Sequence, residues 1–93
     1  MQIVDAKIVD QISSTLSALS NSSRWQILTL LREREYAVGE MVSIIGISQS
    51  SLSQHLAKLR RGKLVSVRKE AQTSFYACSD LRVNRILDAL NEL

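Results

Sequence analysis

Proline is absent from this 93-residue chain, and cysteine and histidine occur once each. Without proline a collagen-like chain is excluded. The lone Cys78 closes no internal disulfide and builds no metal site without other ligands, which fits a reducing compartment. One Trp, one Phe and two Tyr leave an aliphatic core. No stretch approaches the ~18 apolar residues of a membrane span, and the opening MQIVDAKIVDQ carries acids where a signal peptide is apolar. The expected location is cytoplasmic, with no membrane partner. There is no glycine-rich phosphate loop and no clustered carboxylate set, and the one histidine lies far from the one cysteine. Nothing therefore assembles a nucleophile, base and orienter, and the expectation is a non-enzyme with no cofactor and no metal.

What is present is an ordinary globular composition: 45% hydrophobic and 23% charged residues exclude a disordered chain. Residues 1–93 read as a single domain, and a chain this short buries only ~60% of its unfolded surface, so a partner subunit would help it. The net charge of +3 is unevenly spread. Between Met41 and Ser79 six cations face one acid, a local +5, whereas the rest carries six cations and eight acids, −2. Such a segment is an electrostatic footprint for a polyanion.

Ile8, Ile12, Leu16 and Leu19 recur at helical spacing, predicting a first helix from about Ile3 to Ala18. Asn21 is an N-cap for a second, strongly apolar helix through Ile27, Leu28, Leu30 and Leu31, the expected centre of the core. Tyr36-Ala37-Val38 reads as short and extended. A third helix runs from Glu40 to Ile45 and stops at Gly46, suited to a left-handed cap. Ser48 caps a fourth helix reaching about Arg61, and two helices joined by Gly-Ile-Ser make a helix-turn-helix. Leu64–Arg68 and Thr73–Ala77 then form a β-hairpin around the tip Lys69-Glu70-Ala71-Gln72, where the lack of glycine predicts a looser loop than a type I′ turn. A last helix starts at Asp80, with Val83, Ile86, Leu87, Leu90 and Leu93 on one side. The fold class is mainly α with a small β-hairpin: five helices and a two-stranded wing.

Placed every ~100° around the fourth helix, Leu52, Leu56 and Leu59 share one side. The other carries Ser50, Gln54, Ala57 and Arg61, flanked by Ser51, Ser53 and Lys58, with Gln49 at the N-terminal end and no acid among them. Small hydroxyls let a backbone approach a DNA duplex, and glutamine can pair with adenine N6 and N7 in the major groove. Lys58, Arg60, Arg61 and Lys63 supply phosphate contacts, which set affinity and register. His55 lies nearer the leucine stripe and reads as a packed, hydrogen-bonded residue.

The segments Ala18-Leu19-Ser20-Asn21-Ser22-Ser23-Arg24, Ile27-Leu28-x-Leu30-Leu31, Val38-Gly39-Glu40, Ile47-Ser48-Gln49-Ser50-Ser51-Leu52-Ser53-Gln54-His55-Leu56, Leu64-Val65 and Phe75-Tyr76 resemble the ArsR/SmtB family of bacterial winged-helix repressors. The Val-Gly-Glu, Ser-Gln-His-Leu and Ala-Gln-Thr stretches look like its HlyU/BigR/NolR-like branch. The resemblance implies a homodimer on double-stranded DNA, with residues 1–19 and 80–93 as dimerisation helices and Ile8, Ile12, Leu16, Ile86, Leu87 and Leu90 at the interface. It implies base reading by Gln49, Ser50, Ser53 and Gln54. Phosphate and wing contacts fall on Ser51, Lys58, Arg61, Lys63, Arg68, Lys69, Gln72 and Thr73.

The family's sensing residues are missing. Its Cys-Val-Cys metal motif falls on Ala37-Val38-Gly39, and the last helix has no histidine, only hard oxygens such as Asp80 and Asp88. The second-helix cysteine of redox-sensing members falls on Thr29, and its C-terminal partner would lie past Leu93. Cys78 reads as an inert thiol. The family's glycine before Leu64 is displaced to Gly62, so either Gly62 or Lys63 takes the left-handed conformation, the latter at a cost of ~1 kcal/mol. Two functions follow: a homodimeric repressor on a pseudo-palindromic operator, answering to an unknown small-molecule or protein effector if any, or a winged-helix protein-interaction or anti-repressor module with incidental DNA binding.

Overall fold

In the computed structural model, which describes residues 5–93, Asp5 opens helix α1 (Ala6–Leu19) by accepting from the backbone N–H of Lys7 and Ile8. The expected start near Ile3 lies outside the described residues. Asn21 caps α2 (Ser22–Leu31) through the Arg24 N–H at 3.1 Å, and of the four apolar residues expected at the core Ile27, Leu28 and Leu31 are fully buried while Leu30 is only half-buried against them. Strand β1 (Tyr36–Ala37) leads directly into α3 (Val38–Ile45). That helix begins two residues before the expected Glu40 because the Glu40 carboxylate reaches back to the Ala37 N–H at 3.0 Å, satisfying a donor that a helix start leaves open. The same contact, with Arg34 beside it, holds the Glu40 carboxyl below its ordinary pKa.

Gly46, at φ +79°, ends α3 in the left-handed region, and Ile47 and Ser48 bridge to α4 (Gln49–Arg61). Beyond α4, Leu64 and Val65 do not begin the strand as expected. Both turn into the core, and β2 spans Ser66–Glu70, pairing antiparallel with β3 (Thr73–Ala77). The hairpin is tighter than its sequence suggests: β2 keeps the expected length but lies two residues nearer the turn. Glu70 pairs with Thr73, so Ala71 and Gln72 alone make the turn, and Ala71 adopts φ +55°. Gln72 has no positive φ, which separates this turn from type I′, and an alanine rather than a glycine carries the left-handed position.

The sheet also gains a strand. β1 pairs with β3, Tyr36 opposite Tyr76 and Ala37 opposite Phe75, giving the order β1-β3-β2. Helix α5 (Leu81–Asn91), capped by Asp80 through the N–H groups of Arg82 and Val83, closes the chain. The result is a winged helix-turn-helix: α3 and α4 form the helix-turn-helix, β2 and β3 the wing. Among the described residues no helix is long and apolar enough to cross a membrane.

Candidate nucleic-acid interface

Helix α4 is anchored by burial. Leu52, Leu56 and Leu59 are 0%, 2% and 0% exposed, and each such side chain contributes roughly 1.5–3 kcal/mol relative to exposure. Because these three share a stripe, the helix cannot rotate about its axis without exposing them, so its outer face is fixed. The Ser48 hydroxyl accepts from the Ser51 N–H at 3.1 Å and sets the first turn. On the outer face Gln49, Ser50, Ser53 and Gln54 are all exposed, Ser51 is half-buried, and Lys58, Arg60 and Arg61 stand exposed in the last turn, where cations complement the helix dipole.

The helix ends in a Schellman arrangement. The Leu64 N–H donates to the Leu59 carbonyl at 3.0 Å and the Lys63 N–H to that of Arg60 at 2.9 Å, while the buried Leu59 and Leu64 side chains lie at the hydrophobic positions of the motif. Lys63, at φ +61°, is the left-handed residue, and Gly62 remains right-handed at φ −77°. The glycine is one place early, and the backbone turns where the hydrogen bonds require it.

His55 is partly buried against Arg24, whose Nη1 lies 3.3 Å from the imidazole Nδ1. A guanidinium only donates, so Nδ1 accepts and the imidazole proton sits on Nε2. Desolvation, followed by the positive charges of Arg24 and Lys58, pushes the His55 pKa below its ordinary value. Arg24, only 8% exposed, also donates to the carbonyls of Ala18 at 2.7 Å and Ser17 at 3.1 Å, at the negative end of the α1 dipole. One buried cation thus ties α1, α2 and α4 together.

Beside α4, Ser53, Ala57, Arg60, Arg61 and Tyr76 line an open groove between the helix and the wing. Tyr76 is absent from the sequence-derived site because an aromatic in a hairpin strand reads as packing; only the fold places it on the same groove as Arg60 and Arg61. On the wing, Lys69, Gln72 and Thr73 are exposed around the turn. Arg68 is engaged within the chain: its Nε lies 2.7 Å from Glu35, its Nη1 2.8 Å from Glu70, and its guanidinium 4.7 Å above the Phe75 ring.

The positions where the resemblance would place sensors serve other ends. Ala37 caps α3 with its backbone, the Thr29 hydroxyl donates to the Trp25 carbonyl, Asp80 caps α5, and Asp88 pairs with Arg32. These residues do not fit the family's thiolate or histidine metal sites. Cys78 is 3% exposed, and burial pushes its thiol pKa up, away from the reactive thiolate. Of the expected interface residues, Ile8, Ile12, Leu16 and Leu90 are exposed and Ile86 is half-buried. Leu87 is a correction: at 0% exposure it belongs to the chain's own core, because the apolar stripe of α5 is wide enough to face both inward and outward.

Comparison with known proteins agrees with this geometry. The transcriptional activator HlyU of Vibrio cholerae is 50% identical over 78 residues, 84% of this chain and 72% of that protein. The crystal structure of NolR from Sinorhizobium fredii superposes with a TM-score of 0.89 at 43% identity, covering 99% of this chain and 95% of that one. The solution structure of a homodimeric winged helix-turn-helix DNA-binding domain from Mycobacterium bovis gives 0.85 at 30% identity, covering 98% and 84%. Residues 21–67 match the description "Bacterial regulatory protein, arsR family", and with these relatives the chain belongs to the ArsR family of bacterial regulatory proteins.

Proposed function

We propose that this chain is a sequence-reading DNA-binding transcriptional regulator that works as a homodimer, repressing by occupying a pseudo-palindromic operator. The observation that carries the reading is the exposed, acid-free face of α4, locked in orientation by the buried leucines beneath it. Gln49, Ser50, Ser53 and Gln54 read base edges in the major groove, where short hydroxyls and amides fit without clash. Ser51, Lys58, Arg61 and Lys63 hold phosphates, joined by Arg60 and Tyr76 along the groove toward the wing, and Lys69, Gln72 and Thr73 meet the flanking backbone. The second copy docks on Ile8, Ile12, Leu16, Ile86 and Leu90: Ile8, Ile12, Leu16 and Ile86 supply apolar surface to a mixed groove bounded by α1, the end of α4 and the start of α5. The homodimeric state of the Mycobacterium bovis relative supports a dimer.

Selection of bound duplexes from a random pool, followed by a salt series on the winner, tests the proposal. An inverted repeat with half-sites about one helical turn apart is expected. Binding with no enriched sequence and only a steep salt dependence would overturn it, leaving a basic face that recognises phosphate alone. Chelator or reductant is expected to leave operator affinity within tenfold, since Ala37, Gly39 and Thr29 stand where the family's metal and second-helix redox cysteines fall.

A further inference from the structure

We infer that Arg68 is a positioning residue for the wing rather than one of its phosphate contacts. The cation sits at the junction of three pieces of chain. Glu35 belongs to the turn between α2 and β1 and lies 33 residues away in sequence; Glu70 is two residues along the same strand face; Phe75 is the cross-strand partner of Arg68 in the β2–β3 register. Phe75 also pairs with Ala37 of β1, so Ala37, Phe75 and Arg68 make one row across the sheet. The row runs from the helical body to the outer strand. The guanidinium caps its outer end by stacking on Phe75 while pinning that end back to the body through Glu35.

The turn that carries Glu35 is itself braced. Arg34 pairs with Glu40 at 3.1 Å, lies 3.7 Å above the Tyr36 ring and donates to the Glu35 carbonyl at 2.7 Å. Glu35 is therefore an anchored post, and Arg68 is the strut that joins the wing to it.

Charge leads to the same assignment. With two carboxylates within 2.8 Å, the immediate surroundings of Arg68 are net negative, so a phosphate would have to displace an existing partner. Lys69, one residue on, points to the opposite face of the strand and lacks an ion pair within the described chain. It is the cation the wing has to offer. A planar guanidinium can stack on a ring and serve two carboxylates at once, whereas an ammonium is a compact point charge that cannot stack in the same way. Lysine at position 68 would preserve the charge and lose the strut.

Its functional consequence rests on the DNA-reading proposal above, but its structural part can be measured on the free chain. Hydrogen exchange of the β2 and β3 amides in the 93-residue chain is expected to accelerate about two- to fivefold in both Arg68→Lys and Glu35→Gln, the range a modest ion pair can bias, and to stay unchanged in Lys69→Ala. On the selected operator, Arg68→Lys is expected to weaken binding by a similar factor with an unchanged salt slope, whereas Lys69→Ala lowers the slope by about one. Wild-type wing exchange in Arg68→Lys and Glu35→Gln would overturn the strut whatever the DNA result. Tighter operator binding by Glu35→Gln would overturn it too, since freeing Arg68 would then have freed a phosphate contact. Absence of any operator for the wild-type chain would instead strike the DNA-reading proposal and leave the exchange result to decide the strut.

Discussion

Gln54 and Lys58 stand one helical turn apart on α4, both exposed, yet their chemistry separates their roles. An amide offers a donor and an acceptor in fixed relation and can discriminate a base, whereas an ammonium neutralises any phosphate. Gln54→Ala is expected to cost about 1–3 kcal/mol on the selected operator and much less on random duplex. Lys58→Ala is expected to weaken both alike and to lower the salt slope by about one. Equal losses for Gln54→Ala on the two duplexes would show that the reading face lies elsewhere. Between these residues, His55 links the helix to buried Arg24, and its lowered pKa has a consequence for stability. The fold favours neutral imidazole, so as pH falls through the ordinary value of 6.5 the unfolded chain takes up its proton first and stability declines. Above that pH the contribution is fully present. Urea midpoints at about pH 7.5 and about pH 5.5 should fall more on acidification for the wild type than for His55→Gln, and parallel falls would remove His55 from the account.

At the scale of elements, what turns the chain from reading helix to wing is the end of α4. Both hydrogen bonds of the Schellman arrangement form around Lys63, and the chain accepts a left-handed lysine to make them. An L side chain there costs roughly 1–2 kcal/mol that glycine would avoid. Lys63→Gly is therefore expected to raise thermal stability by about 1 kcal/mol while reducing affinity for all duplexes through the loss of a cation, and a denaturation curve paired with a salt titration would separate the two effects. A destabilised Lys63→Gly would mean that the lysine side chain contributes more to the fold than its backbone costs. This strain explains one limit of reading the chain in one dimension: Gly62 announces that the helix stops, but the hydrogen-bond pattern decides which neighbour turns. Ala71 makes the same point in the wing. The lack of glycine suggests a loose loop, yet the register set by Ser66 opposite Ala77 leaves only two residues to cross from Glu70 to Thr73. Packing of the strands overrode the local preference of the turn.

For the whole molecule, the decisive division is between apolar residues that close the protomer and those left outside it. Leu87 and Ile12 belong to similar stripes in the sequence, but the first is 0% and the second 51% exposed. Leu87→Ala is expected to destabilise the fold by about 2–5 kcal/mol, a large share of the roughly 5–15 kcal/mol that holds a typical domain. Ile12→Asp is expected to keep the helical circular-dichroism signature and shift sedimentation from dimer to monomer. A dimeric Ile12→Asp would place the interface away from α1.

Periodicity, caps and composition were enough to show five helices, the helix-turn-helix, the hairpin and the outward face of α4, because each is written in neighbours a few residues apart. The leucine stripe and the acid-free face opposite it are one statement, since a helix that buries one side must expose the other. Contacts between distant segments had no such local signature. Tertiary packing alone added β1 to the sheet, set Tyr76 and Arg60 along one groove, pulled Leu87 inside, and joined Arg24 to His55 and Arg68 to Glu35 across 31 and 33 residues. A local pattern records what a residue prefers, and the closed core determines which residues end up side by side.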